Sequence, residues 1–253
     1  MTGAAVAAGG TPAYAGVPPL RNIVLVHGAY ADGSSWGDVI VRLQAHGLSV
    51  TSVQNPLTSL ADDVAAVRRI LDLQTGPTLL VAHSWGGTVI SSWGGTVISE
   101  AGLHANVAAL AYVSARGPDA GEDYGALAGR FPTPPASAGI VHQGGFAWLG
   151  EETFLRDFAN GVERSRARAM FAVQGRVADT LFASRTTVAA WRSRPTSYLI
   201  TSDDRTTAPE LQRFVAERMR ARTSEVATGH LSMITRPDRV ARFLLDAAKR
   251  GAA

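Results

Sequence analysis

A short apolar run at residues 78–83 (TLLVAH) ends at a serine, Ser84, which is followed by Trp85, Gly86 and Gly87. A run of this length, rich in aliphatic and β-branched residues, reads as a strand covered on both faces of a parallel sheet. A small-x-Ser-x-Gly core directly after such a strand reads as a strand-to-helix elbow that lifts one hydroxyl clear of the sheet edge. Ser84 is therefore the candidate nucleophile. Gly86 permits the close approach that this turn requires, and Ala82, standing where the pattern usually carries its first glycine, keeps the position small.

The elbow is followed by a perfect repeat. SWGGTVIS at residues 84–91 recurs at once as residues 92–99. Eight residues advance a helix by about 12 Å and turn it by roughly 80° beyond two full turns, so a second copy cannot prolong the helix with the same face inward. The chain must bulge, loop out or shift register. Ser92 is a second candidate nucleophile, but it places Ile90 at the crowded position, where a β-branched side chain does not fit; Ser84 is preferred. Two copies of eight residues are too short for a stacking repeat.

Around the elbow, strand-like and helix-like segments alternate. Residues 22–27 form an apolar run ending in His27, Gly28, Ala29 and Tyr30. A helix is expected over 36–46, with Val39, Ile40 and Leu43 on one face and Gly47 as its stop. A strand follows over 48–54, a helix capped by Ser59 runs to Leu73, and another strand spans 107–115. The rhythm returns with a strand at 196–202, a helix over 209–220, a strand at 224–228, and an amphipathic helix over 237–250 that turns Val240, Phe243 and Leu244 inward. This alternation predicts an α/β fold with a mostly parallel, doubly wound sheet and helices on both faces, built from residues 21–115 and 196–253. Between them, residues 116–195 are turn-rich, with short helices expected at 151–158 and 164–173 and around 180–191. This insertion reads as a small helical lid over the strand ends, where open α/β sheets bind ligands. Its Phe131, Phe146, Trp148, Phe154 and Trp191 are candidate pocket residues, as is Tyr30 from the core.

Composition excludes several classes. The 253 residues, 46% hydrophobic, suffice for one large core plus a small lid. The formal charge is only +3. Lys249 is the single lysine and the arginines are scattered apart from 164–168 and 218–222, which reads as solvated helix faces rather than a nucleic-acid surface. With no cysteine there is no disulfide, thiolate nucleophile or Cys-ligated metal, and the six histidines form no H-E-x-x-H or similar set, so no metal is expected. No apolar run is long enough to span a membrane. The small, uncharged residues 1–20 read as a flexible tail, or as the remnant of an export signal with Ala13-Tyr14-Ala15 resembling a cleavage site. The expectation is a soluble protein, monomeric or homodimeric, either cytoplasmic or, if the tail is a signal remnant, periplasmic or secreted.

Ser84, Asp204 and His230 fall at strand ends in the order Ser, Asp, His. A serine hydroxyl is a weak nucleophile at neutral pH, so a histidine must take its proton and return it to the leaving group, and a carboxylate must fix the imidazole tautomer. Asp203 is the neighbouring competitor for the acid. Backbone N–H groups of Ala29 and Trp85 are candidate donors to an oxyanion, each worth roughly 3 to 4 kcal/mol.

At residues 26–29 (VHGA), 83–87 (HSWGG), 204–212 (DRTTAPELQ) and 229–233 (GHLSM), the sequence resembles the α/β-hydrolase superfamily. Within it, the chain is similar to the small lidded esterase group that contains plant methylester esterases and hydroxynitrile lyases. The resemblance runs from Arg21 to the C-terminus and implies a cofactor-free Ser-His-Asp hydrolase acting on a small-molecule ester, with Asp204 rather than Asp203 as acid. Leu231 departs from the lysine that hydroxynitrile lyases of the group carry directly after the catalytic histidine, which favours the esterase. The duplicated elbow is the second departure, since the family carries one copy. Ser84 is incompatible with the aspartate nucleophile of haloalkane dehalogenases and epoxide hydrolases. The expected activity is hydrolysis of small to medium apolar carboxylic esters through an acyl-enzyme. The alternatives are a ligand-binding or catalytically impaired member, or a cofactor-free oxygenase or perhydrolase.

Overall fold

The computed structural model describes residues 20–84 and 94–251. Six parallel strands form the central sheet: β1 (Asn22–Val26), β2 (Ser49–Ser52), β3 (Thr78–His83), β4 (Val107–Val113), β8 (Thr196–Thr201) and β9 (Arg222–Val226), in the order β2-β1-β3-β4-β8-β9. The helices α1 (Gly37–Ala45), α2 (Leu60–Asp72), α3 (Gly94–Ala101), α7 (Pro209–Arg218), α8 (Ser232–Thr235) and α9 (Pro237–Arg250) join and cover these strands. Every residue of β3 is buried, as its unbroken apolar run requires. Val240, Phe243 and Leu244 face inward from α9. The Ser59 hydroxyl caps α2 by accepting from Asp62 N at 3.0 Å.

Strand order reverses between β1 and β3. The chain steps outward from β1 to β2 and then returns to the other side of β1, which opens a crevice at the carboxyl ends of β1 and β3. The two strands run in register, Val26 opposite Ala82, so the residues that leave them meet: Gly28 lies against Ser84.

Helix α3 is made from the second copy of the repeat. Val97, Ile98 and Ser99 are fully buried, each aliphatic side chain contributing roughly 1.5–3 kcal/mol. A Cβ on Gly95 would overlap the carbonyl oxygen of Arg116, so only glycine lets α3 approach the end of β4 this closely. Residues 1–19, Trp85 and Ser92 lie outside the described residues, as does most of the path from the first copy to the second.

The insert between β4 and β8 carries α4 (Tyr124–Ala128), α5 (Glu151–Thr153) and α6 (Arg164–Ala172), together with a three-stranded antiparallel sheet that the periodicity did not reveal. Its strands are β5 (Ile140–Gln143), β6 (Phe146–Leu149) and β7 (Val177–Ala178). The β5–β6 hairpin turns on Gly144 and Gly145, whose φ angles of +63° and +81° suit a two-residue loop. Residues 151–158, expected as one helix, start as α5 and widen into a π-turn at Phe154–Phe158. The helical expectation near 180–191 narrows to two 3₁₀ turns, Asp179–Ala183 and Ala190–Arg192. Among the described residues no helix is long and apolar enough to cross a membrane.

The insert docks on a turn held by a buried carboxyl. Asp63 Oδ1 accepts from Leu57 N at 2.8 Å, while Oδ2 has no partner among the described residues. Leu57, at φ +59°, accepts through its carbonyl from Ala178 N of β7 at 2.9 Å. Burial pushes the Asp63 carboxyl up to about 7, against the lowering effect of the Leu57 N–H, and the neighbouring Asp62 charge adds to the rise. A carboxyl whose folded pKa exceeds its unfolded value of 3.8 binds more protons when folded, so its contribution is intact below that value and lost as pH rises towards 7. Stability, followed as the melting temperature, is therefore expected to fall between about pH 4 and pH 7, with a slope of at most about 1.4 kcal/mol per pH unit. Asp63→Asn keeps an acceptor for Leu57 and is expected to flatten that decline in a pH series of thermal melts; an unchanged slope would refute the assignment.

Candidate active site

Ser84 leaves β3 at φ +88°, in the region that L-residues other than glycine rarely adopt. Such a conformation costs on the order of 1–3 kcal/mol and persists where the surroundings over-determine it. Ser84 N donates to Val113 O at 3.2 Å on the neighbouring strand, which anchors the turn, and the side chain is aimed at a histidine. Gly28 completes the fit. A Cβ there would overlap Ser84 Cβ and lie 2.6 Å from Ser84 Oγ and 2.9 Å from His83 O.

His230, on the loop between β9 and α8, places Nε2 2.7 Å from Ser84 Oγ and Nδ1 2.8 Å from Asp204 Oδ2. Asp204 lies on the loop after β8. Its Oδ1 accepts from the backbone N–H groups of Thr206 and Thr207, both at 2.8 Å. Its Oδ2 also accepts from Thr201 Oγ1 at 2.8 Å and Gln212 Nε2 at 3.0 Å. With acceptor geometry at each of these bonds, the carboxylate places the His230 ring proton on Nδ1 and leaves the Nε2 lone pair facing the serine hydroxyl. Asp203, the sequence competitor, is exposed, and only Asp204 reaches the imidazole. Ser84 and His230 are both buried, at 1% and 0% relative exposure.

Two further histidines support this geometry, and neither had a role assigned from sequence although both stand inside the quoted motifs. His83 donates from Nε2 to the backbone carbonyl of His230 at 3.1 Å, and the two rings lie 4.6 Å apart. Burial, reinforced by His230, holds its pKa well below the usual value, so the ring is neutral. His27 donates from Nδ1 to Gly28 O at 2.8 Å and accepts at Nε2 from Asn55 N at 3.0 Å. Burial lowers its pKa as well, and in that neutral form it ties the turn after β1 to the turn after β2.

The structure thus brings together Ser84, Asp204 and His230, with Ala29 buried immediately after Gly28. Trp85, the other oxyanion candidate, lies outside the described residues. Tyr30, at φ +60°, sets its ring edge-on to Phe158 at 6.1 Å and borders a small cavity of about 70 Å³ with Asp32 and Arg166. Three of the five insert aromatics expected to line a pocket have other neighbours. Phe131 packs on Phe214 of α7 at 5.3 Å, Trp148 carries the Arg176 guanidinium 3.7 Å over its ring, and the Trp191 indole N–H donates to Pro118 O at 2.8 Å. The insert ring that reaches His230 is Phe158, at 5.4 Å. Nothing in its spacing distinguished it from Phe131 or Trp148. Among the described residues no group of three or more His, Asp or Glu side chains is placed to hold a metal ion.

A sequence model described as the alpha/beta hydrolase family matches residues 23–243. No curated protein matches the chain. Among solved structures, a pyrethroid hydrolase from Sphingobium faniae JZ-2 is similar at a TM-score of 0.71 and 20% identity, over 90% of this chain and 97% of that one. Polyneuridine aldehyde esterase is similar at 0.73 and 17%, over 90% and 98%. A methylesterase from Arabidopsis is similar at 0.72 and 16%, over 90% and 98%. At these identities the likeness is one of fold.

Proposed function

The chain belongs to the alpha/beta hydrolase family, and from that premise we propose that it is a serine hydrolase cleaving small to medium, apolar carboxylic esters through an acyl-enzyme. One observation carries the reading: Ser84 Oγ stands 2.7 Å from His230 Nε2, whose far nitrogen is bonded to Asp204. In the proposed cycle Ser84 Oγ attacks the ester carbonyl carbon while His230 Nε2 takes its proton. The backbone N–H groups of Ala29 and Trp85 stabilise the oxyanion, and Asp204 stabilises the imidazolium. His230 then gives the proton to the departing alkoxide, leaving Ser84 acylated. Water, activated by the same imidazole, reverses the steps and releases the acid.

The residue after His230 supports hydrolysis over cyanohydrin cleavage. Leu231 is fully buried and offers no ammonium to a cyanide leaving group. The esterase names among the similar folds favour the same substrate class. We assign residues 116–195 the role of a lid: with Ser84 1% exposed, an ester reaches the hydroxyl when the insert moves.

A phosphonate inhibitor followed by peptide mass mapping tests the reading. Label on Ser84, together with release of p-nitrophenol from the acetate or butyrate ester, is the expected result. Label on Ser92, or no ester turnover, would overturn it.

The division of labour between the two copies gives a further expectation. Excising residues 85–92 joins Ser84 to Trp93, Gly94 and Gly95, leaving one elbow copy ahead of α3. Because the buried face of α3 comes from the second copy, the shortened chain is expected to fold and to keep ester turnover within about tenfold of the parent. A circular-dichroism melt and p-nitrophenyl butyrate kinetics check this; an unfolded product would refute it.

A further inference from the structure

We propose that residues 154–160 of the insert hold the acid–base pair in register, with Asn160 as the central positioning residue. The inference rests on the hydrolase reading. It goes beyond that reading by making alignment of His230 and Asp204 depend on a segment that belongs to neither of their strands.

Asn160 bridges the two loops that carry the pair. Its Nδ2 donates to Asp203 O at 3.0 Å, and its Oδ1 accepts from His230 N at 3.4 Å. The fit is close on the far side as well: a Cβ on Gly229 would overlap the Asn160 amide, so position 229 admits the bridge only as glycine. Two residues earlier, the Phe158 ring packs on the His230 imidazole at 5.4 Å with the planes tilted by 51°. Restricting the ring in this way matters because rotation of the imidazole would break its bonds to Ser84 and Asp204 together.

The same segment grips the acid loop from its other end. The Asp157 carboxylate is fully buried, and it accepts from Arg205 Nε at 2.7 Å and from an Arg156 guanidinium nitrogen at 2.8 Å. Burial raises its pKa, and the bonds from the two arginines outweigh that and bring it below the usual carboxylate range. Thr206 Oγ1 donates to the Asp157 carbonyl at 3.4 Å, while Thr206 N donates to Asp204. Arg205 and Thr206, the two residues after Asp204, are thus both tied to Asp157. The π-turn at Phe154–Phe158 explains how one short segment serves both loops: the wider turn re-aims successive side chains relative to a regular helix, and both Asp157 and Phe158 are buried against the core.

The test compares Asn160→Ala, Asn160→Asp and Gly229→Ala with the parent. For p-nitrophenyl butyrate, Asn160→Ala and Gly229→Ala are expected to lose ten- to a hundredfold in kcat with KM within about twofold, and to shift the acidic limb of the kcat/KM pH profile. Asn160→Asp keeps the acceptor for His230 N and is expected to recover part of the loss. An activity-independent readout separates failure of this proposal from failure of the hydrolase reading: the downfield proton NMR signal of the His230 Nδ1–H, identified by its absence in Asp204→Asn. The signal is expected in the parent and broadened or lost in Asn160→Ala. A sharp signal and a parent-like pH profile in folded Asn160→Ala and Gly229→Ala would overturn the proposal. So would a loss of kcat that only follows the fraction of protein folded. If Asn160→Ala does not fold, Gly229→Ala and Asn160→Asp carry the same comparison.

Discussion

Ser84→Ala is expected to lower kcat for p-nitrophenyl butyrate by about 10⁴–10⁶-fold, while Ser92→Ala leaves it within about twofold. Removing the nucleophile of a coupled Ser-His-Asp set costs about as much as removing the whole set, because no remaining group can form the covalent intermediate. Residual turnover would come from oxyanion stabilisation and binding alone, roughly 10³–10⁴ over water. The prediction follows from the bond between Ser84 Oγ and His230 Nε2 and from the +88° φ that aims the hydroxyl. Steady-state kinetics on both variants, with circular dichroism to show that each is folded, decide it. Loss of activity in Ser92→Ala with retention in Ser84→Ala would assign the nucleophile to the other copy and end this account.

Gly28→Ala should be the second most damaging change, although it removes no functional group. The new methyl would overlap Ser84 Cβ and come within 2.6 Å of Oγ, with His83 O 2.9 Å away. These neighbours are backbone and the root of a side chain, so no flexible tip can swing aside. Either the elbow retreats, taking Ser84 away from His230, or the turn after β1 retreats, taking the Ala29 N–H from the position proposed for it. Misplacement by about 1 Å is enough for a 10²-fold loss, and the overpacking itself costs about 1–3 kcal/mol. The expected result is a kcat/KM reduced by 10²–10³ together with a lower melting temperature. A variant with parent-like kinetics would show that the β1 turn is more yielding than its packing indicates. The histidine links make that outcome difficult, since His27 fastens Gly28 O on one side and Asn55 N on the other.

The central sheet and the Ser84, Asp204 and His230 set were readable from the chain because each rests on a local pattern. Thr78 to His83 is apolar throughout and ends at a small-x-Ser-x-Gly core; Thr196 to Thr201 runs directly into the aspartates; Gly229 and His230 close the last strand. Parallel strands put such endings on one edge, so their meeting follows from topology rather than from any one side chain. The insert was less legible. Gly144 and Gly145 between two short runs are a hairpin signal, but strands of four residues and fewer give little alternation to detect. Its aromatics illustrate the remaining difficulty. Phe131, Trp148 and Trp191 look as suited to a pocket as Phe158, and only long-range packing distinguishes a ring on α7, under an arginine or against Pro118 from one on the catalytic imidazole.

What the amino-acid order determined by itself was the strand-and-helix alternation and the serine, acid and base carried at strand ends, since apolar periodicity and turn chemistry act between residues near in sequence. The tertiary structure alone set the bonds that join Ser84, His230 and Asp204, and decided that Asp157, Phe158 and Asn160 reach across to the pair. Those choices depend on contacts between residues dozens of positions apart, where a shift of an ångström decides whether a bond exists and no local pattern carries that distance.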